Sequence, residues 1–192
     1  MPPKRSPGLK PPGDSTVVTS AAYARKHPQD QHLITTAVHI LRRQFEPAMQ
    51  MLEQVIRTCP EDLWCANPHG QSIWKRVLHA LESVDFHFND FGRYLFSDID
   101  GMVSPEFDCK DTRVLSPDEM LRYFGSVKEK CTIAFETLDD QRLLTTSTAG
   151  LGSTCLDTII QQIRHLSLNA GRCAEALAAS ECNNIKWEGY NE

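Results

Sequence analysis

Two histidines and an asparagine have the residue types and the spacing of a binding site. His165 and Asn169 are four residues apart, so on a helix both side chains point the same way from successive turns. His79 belongs to another segment, where Arg76 and Ser83 share its polar face. If the two polar faces meet, two imidazoles and an amide oxygen converge on one point, as the ligands of a metal ion do. The spacing alone favours the alternative that both faces are solvated, because a histidine on a polar face usually is.

Signatures of other chemistry are absent from the sequence. It contains no H-E-x-x-H, G-x-S-x-G, G-x-x-x-x-G-K or complete G-x-G-x-x-G motif. Its seven cysteines are an odd number without a C-x-x-C pair, which indicates reduced thiols rather than a disulfide framework or a zinc ribbon. Prolines and polar residues interrupt the N-terminal segment where a secretory signal would need an apolar run. These features favour a cytoplasmic protein.

Four amphipathic segments must position the candidate ligands. In each, apolar residues recur at steps of three and four, which is typical of a helix with one buried face. The four stripes are Ile34, Val38, Leu41, Phe45, Ala48, Leu52, Val55 and Cys59; Ile73, Val77, Leu81, Val84, Phe88, Phe91 and Leu95; Met120, Phe124, Val127, Cys131, Ala134 and Leu138; and Leu156, Ile159, Ile163, Leu166, Ala170, Cys173 and Leu177. No segment has a convincing strand pattern. The sequence therefore predicts an all-α fold, a four-helix bundle.

Helix boundaries follow from local signals. Pro47 lies within the first stripe and predicts either one kinked helix or two abutting helices, and Pro60 ends that element. Ser72 is a candidate N-cap for the second helix. In the run Ser116-Pro117-Asp118-Glu119, the serine hydroxyl and the Glu119 carboxylate can each bind a free backbone amide, which predicts a capping box at the start of the third helix.

Composition divides the chain into a tail and one domain. Residues 1–30 contain six of the eleven prolines and five basic against two acidic residues, which predicts a disordered, basic, proline-rich tail before a helical domain at 31–192. The whole chain has a net charge of -5, so nucleic acid is not expected as a partner. No stretch approaches the roughly 20 apolar residues of a membrane span, and no membrane association is expected.

Four segments in this order resemble the DinB-like superfamily. They are Ile73-Trp74-Lys75-Arg76-Val77-Leu78-His79-Ala80-Leu81, residues 115–123, residues 163–172 and a late Lys186-Trp187-Glu188-Gly189. The resemblance covers about residues 33–190. It implies a DinB-like four-helix bundle and a homodimer. It also implies a divalent metal ion held by one histidine of the second helix and an H-x-x-x-H pair on the fourth.

Carried over to this chain, the resemblance implies that His79 is the first metal ligand and His165 the second. Asn169 stands where the second histidine of the H-x-x-x-H pair would be. An amide oxygen is a weaker ligand than imidazole, so a nearby carboxylate would have to compensate, and Glu82 is the nearest. The expected ion is Zn²⁺, Ni²⁺ or Mn²⁺, or none if the site has decayed.

Two functional hypotheses follow from the resemblance. The first is a metal-dependent enzyme, a thiol-dependent transferase or a hydrolase, which acts on a small molecule or a thiol. The alternative is a non-catalytic dimeric binding or stress-response module that keeps the bundle without the metal.

Overall fold

The described part of the chain is all-α. The computed structural model describes residues 36–66, 70–99, 103–109, 111, 113–149, 152–182 and 185–189. The helices are α1 (Ala37–Thr58), α2 (Glu61–Trp64), α3 (Ile73–His87), α4 (Pro117–Thr137) and α5 (Cys155–Ala179), with 3-10 turns at Asn89–Phe91, Phe96–Asp98 and Arg142–Leu144. Within these ranges the one extended pairing is an isolated bridge between Thr146 and Thr154. The tail predicted for residues 1–30 lies outside the described residues.

One hydrophobic core joins the four long helices. Both α4 and α5 contact α1 and α3, so each long helix buries a face against two or more others. The side chains of Phe45, Phe88 and Phe135 cluster in this core, with ring centroids 5.3 Å apart between Phe45 and each of the other two. Inside the described ranges, none of the helices has both the length and the apolar character needed to cross a bilayer.

Most of the described residues in the predicted stripes are buried in this core, and five are only partly buried. One of them is Cys59, the C-cap residue of α1. Leu156 and Ile163 on α5 are only partly buried, at the edge of the core. Phe91 and Leu95 are likewise partly buried, and they lie beyond α3, which ends at His87 although the apolar periodicity continues. Ile34 lies outside the described residues.

The local signals predict the end of α1 and the start of α4 correctly, whereas α3 ends at His87, before the predicted end of its stripe. α1 is a single helix that contains Pro47, and Pro60 follows its C-cap. The capping box of α4 is present: Ser116 Oγ accepts from the Glu119 amide at 3.3 Å, and Glu119 Oε2 accepts from the Ser116 amide at 2.8 Å. Ser72 occupies the N-cap of α3 but makes no capping hydrogen bond through its side chain. A second capping box, which was not predicted, begins α5 and pairs Thr154 with Asp157.

A buried lysine fixes the segment that covers one end of the candidate site. Lys75 on α3 is 3% exposed, and its Nζ lies 2.6 Å from Asp111 Oδ2 while also donating to the Ser104 carbonyl. Asp111 Oδ1 accepts from the Ser104 amide at 2.7 Å. These contacts hold the 103–109 segment against α3, where Phe107 packs on the His79 ring at 4.3 Å between centroids.

Candidate functional site

The imidazole rings of His79 and His165 lie side by side between α3 and α5. Their centroids are 4.9 Å apart and their planes are nearly perpendicular, at 85°. The two residues line a surface pocket of about 370 Å³, and the rest of its lining is Ser83, Gln161, Arg164 and Leu168. The two polar faces that the sequence places on separate helices therefore meet, and they bring both predicted histidines together.

A backbone carbonyl orients the His79 ring. The Nδ1 atom of His79 lies 3.2 Å from the carbonyl oxygen of Pro105. A neutral imidazole that donates from Nδ1 to this carbonyl keeps the lone pair of Nε2 available as a ligand. A hydrogen bond of this kind behind a metal-binding histidine fixes both the tautomer and the direction of the ring.

His165 is held in the neutral form. Burial, and then the neighbouring His79 and His87, lower the pKa of His165 from 6.5 to about 4. Its Nδ1 atom is buried and has no hydrogen-bond partner among the described residues. At neutral pH this ring carries no charge, which is the protonation state that binds metal ions.

The other two predicted ligands take part in different hydrogen bonds. Asn169 is 2% exposed, and its Nδ2 donates to the His165 carbonyl oxygen at 3.0 Å, one helical turn back. Glu82 accepts a hydrogen bond from the Tyr94 hydroxyl. Burial raises the pKa of the Glu82 carboxyl above its usual value, although the bond to Tyr94 opposes this shift. Glu82 does not line the pocket of the two histidines, and among the described residues it is not grouped with them as a third ligand.

The side chains that could bind a metal ion here are two imidazoles, which is fewer than a complete set of protein ligands. Across the described ranges, no three side chains from His, Cys, Asp and Glu are grouped so that they could hold an ion. With a metal–nitrogen distance of about 2.1 Å, two rings on one tetrahedral ion have centroids roughly 5 Å apart. The observed 4.9 Å between His79 and His165 fits that separation. Any remaining ligands would be an amide oxygen, water or a substrate.

A polar seam extends from the histidine pair along α5. Ser83 Oγ donates to Gln162 Oε1 at 3.0 Å, and Gln162 is fully buried. Gln162 Nε2 and Thr158 Oγ1 are buried without partners among the described residues. These two side chains were not predicted to belong to the site, although the sequence contains a signal for them. The steps of four and three that mark one helical face connect Thr158, Gln162, His165 and Asn169.

The cysteines are all unpaired. Cys131, Cys155 and Cys173 are buried, whereas the other four are partly or fully exposed. Burial raises the pKa of the Cys59 thiol to about 12 and that of Cys173 to the same value. A thiol with so high a pKa is a poor nucleophile at neutral pH, because the thiolate is the reactive form.

The chain matches no protein-family model, and no curated protein sequence or solved structure is significantly similar to it. The resemblance to the DinB-like superfamily therefore rests on the four quoted segments alone.

Proposed function

We propose that this chain is a DinB-like four-helix-bundle protein and a metal-dependent enzyme, with His79 and His165 as the ligands of a divalent ion. One observation carries the proposal: the centroids of the two imidazole rings are 4.9 Å apart although the rings belong to different helices. An orienting carbonyl at His79 and a lowered pKa at His165 support it, because both favour neutral imidazoles with an available lone pair.

The surrounding residues would bind and orient the substrate. An ion held by two protein nitrogens keeps open positions, at which it would polarise a carbonyl or activate a bound water or thiol. Arg164 and Gln161 provide polar contacts at the pocket wall, and Leu168, which is 53% exposed, provides an apolar one. The proposed reaction is a thiol-dependent group transfer or a hydrolysis on a small molecule, with Zn²⁺, Ni²⁺ or Mn²⁺ as the ion.

A second candidate function is a non-catalytic binding or stress-response module. The Glu82–Tyr94 hydrogen bond favours it, because this potential carboxylate ligand is used elsewhere, and the amide oxygen of Asn169 is a weak ligand by itself. In that case the histidine pair is what is left of a decayed site. A homodimer and a cytoplasmic location are proposed for both candidates.

Metal content tests the proposal directly. Untagged protein purified without added metal is analysed by mass spectrometry and then titrated with each of the three ions, as wild type and as the His79→Ala and His165→Ala variants. His39→Ala is the matched control, because His39 is exposed on α1 and does not line this pocket. We expect wild type and control to bind one ion, and each site variant to lose affinity by at least about tenfold.

The same samples separate the two candidates. Consumption of a low-molecular-weight thiol together with an electrophile is followed for metal-loaded wild type and His79→Ala. The enzyme predicts turnover that requires both the metal and His79. Metal binding without turnover of any thiol or ester tested favours the non-catalytic module, and equally negligible metal in wild type and His79→Ala contradicts a metal-dependent function.

A further inference from the structure

A second cavity, of about 400 Å³, lies beside α4 and carries three arginines. Arg93 follows α3, Arg113 precedes α4 and Arg122 lies on α4, so three separate segments each contribute an arginine to the lining of one cavity. We propose that this cavity binds a small organic anion, a carboxylate or a phosphate monoester with an apolar body, and that Arg122 receives the anionic group. This inference does not depend on the proposed metal centre.

Positive charge exceeds negative charge in the cavity. Of the described residues that line it, only Asp98 and Glu119 are acidic. Glu119 is occupied: it accepts from the Ser116 amide and hydroxyl at 2.8 and 2.9 Å and from Arg113 at 2.8 Å. These bonds lower the pKa of Glu119 to about 2, so it is ionised at neutral pH and already paired with Arg113. Arg122 forms no ion pair with any described residue, and its planar guanidinium can bind a carboxylate or phosphate through two parallel hydrogen bonds.

Asp98 is the competitor of an incoming anion. Both of its oxygens accept from the guanidinium of Arg93, with Oδ1 at 2.7 Å. The side chains of Arg93 and Asp98 are 64% and 55% exposed, so water and salt screen this bidentate pair and another anion can compete for Arg93. An anion bound at Arg122 would therefore compete with Asp98 for the guanidinium of Arg93.

An apolar wall determines the rest of the ligand. Leu95, Ile99 and Leu115 line the cavity; Leu115 is buried, whereas Leu95 and Ile99 are partly exposed and offer apolar surface to a ligand. The volume is in the range of about 300–1,000 Å³ that is usual for small-molecule sites. A ligand with an aromatic or aliphatic body would cover this wall, so an organic anion should bind more tightly than inorganic phosphate.

The test uses two variants with opposite expected effects. Phenyl phosphate and benzoate are titrated into the full chain by calorimetry and by amide chemical shifts, with phenol as the neutral probe of equal ring size and inorganic phosphate as the anion without a body. Arg122→Gln should weaken phenyl phosphate binding about tenfold. Asp98→Asn, which removes the competing carboxylate, should strengthen it. Arg172→Gln, a change of an exposed arginine on α5 outside the cavity, should leave it unchanged.

The results that would overturn the inference are equally specific. The first is that neither organic anion shows saturable binding up to about 10 mM. The second is that phenol binds as tightly as phenyl phosphate. The third is that the Arg122→Gln variant binds phenyl phosphate with the affinity of wild type. Circular dichroism of each variant is the check that the helical fold is retained. Shifts at residues 93–99 and 119–126 locate the ligand in this cavity, and shifts only near His79 and His165 would place it in the other pocket.

Discussion

The ammonium group of Lys130 lies 2.8 Å from Asp85 Oδ1 in the interior of the protein, where the two residues are 5% and 0% exposed. The same Nζ atom lies 2.7 Å from the Asp85 carbonyl, 3.0 Å from Asn89 Oδ1 and 2.9 Å from the Arg93 carbonyl. One cation on α4 thus binds α3 and the chain that leaves it.

The other oxygen of Asp85 completes the network. Asp85 Oδ2 accepts from the backbone amides of Leu95 and Phe96 at 2.8 Å and from the Tyr123 hydroxyl at 3.1 Å. Burial, followed by the charge of Asp85, raises the pKa of the Tyr123 hydroxyl, so Tyr123 stays a hydrogen-bond donor. Because both charges have hydrogen-bonded partners, the ion pair is tolerated inside the core.

Removing the cation from this network should destabilise the fold strongly. Lys130→Met leaves Asp85 as a buried carboxylate without its counterion, and we expect a loss of about 3–5 kcal/mol in the free energy of unfolding, measured by urea titration with circular dichroism. Lys128→Met is the control, because Lys128 lies on the same helix with a side chain that is 53% exposed. Similar losses in the two variants would contradict a structural role for the buried pair.

The neutral state of His165 should appear in the pH dependence of stability. In the unfolded chain its pKa is close to 6.5, and in the folded protein it is about 4. Between these values the unfolded state binds more protons, so the contribution of His165 is complete above pH 6.5 and is lost as the pH falls towards 4.

Urea unfolding at pH 7, 5.5 and 4.5 measures this effect. His165→Gln should lose less stability than wild type between the highest and the lowest of these pH values, whereas the exposed His39→Gln should follow wild type. An unchanged pH dependence in His165→Gln would show that the ring is protonated normally in the folded protein.

The capping box of α4 should contribute modestly. Ser116→Ala removes the hydroxyl that accepts from the Glu119 amide, and we expect a loss of about 1 kcal/mol in thermal or urea unfolding. Ser126→Ala on the exposed side of the same helix removes a hydroxyl without a capping role. The prediction fails if both serine variants are equally stable.

Burial predicts different effects for two apolar positions with the same sequence signal. Leu81 is fully buried, so Leu81→Ala should lower the free energy of unfolding by about 2–5 kcal/mol. Ile163 is only partly buried, so Ile163→Ala should lower it by less than about 2 kcal/mol. Chemical denaturation of both variants compares them. An equal loss at the two positions would contradict the orientation of α5.

Local signals in the sequence determined most of the helical architecture. The apolar stripe of α1 from Val38 to Val55, the end of that helix before Pro60 and the capping box at Ser116 were predicted correctly. They depend on residues within a few turns of each other, where helical periodicity and short hydrogen bonds leave few alternatives. The pairing of His165 with Asn169 on one face of a helix was readable for the same reason.

Only the tertiary structure decided which polar groups meet. The periodicity of the second stripe runs on to Leu95, but α3 ends at His87 and the Leu95 amide is bound by Asp85. Which face of α5 lies against α3, and therefore whether His165 reaches His79, depends on how the four stripes pack together. Residues distant in sequence bury the side chains of Lys130 and His165 and provide their neighbours. A local pattern does not encode such a contact between helices.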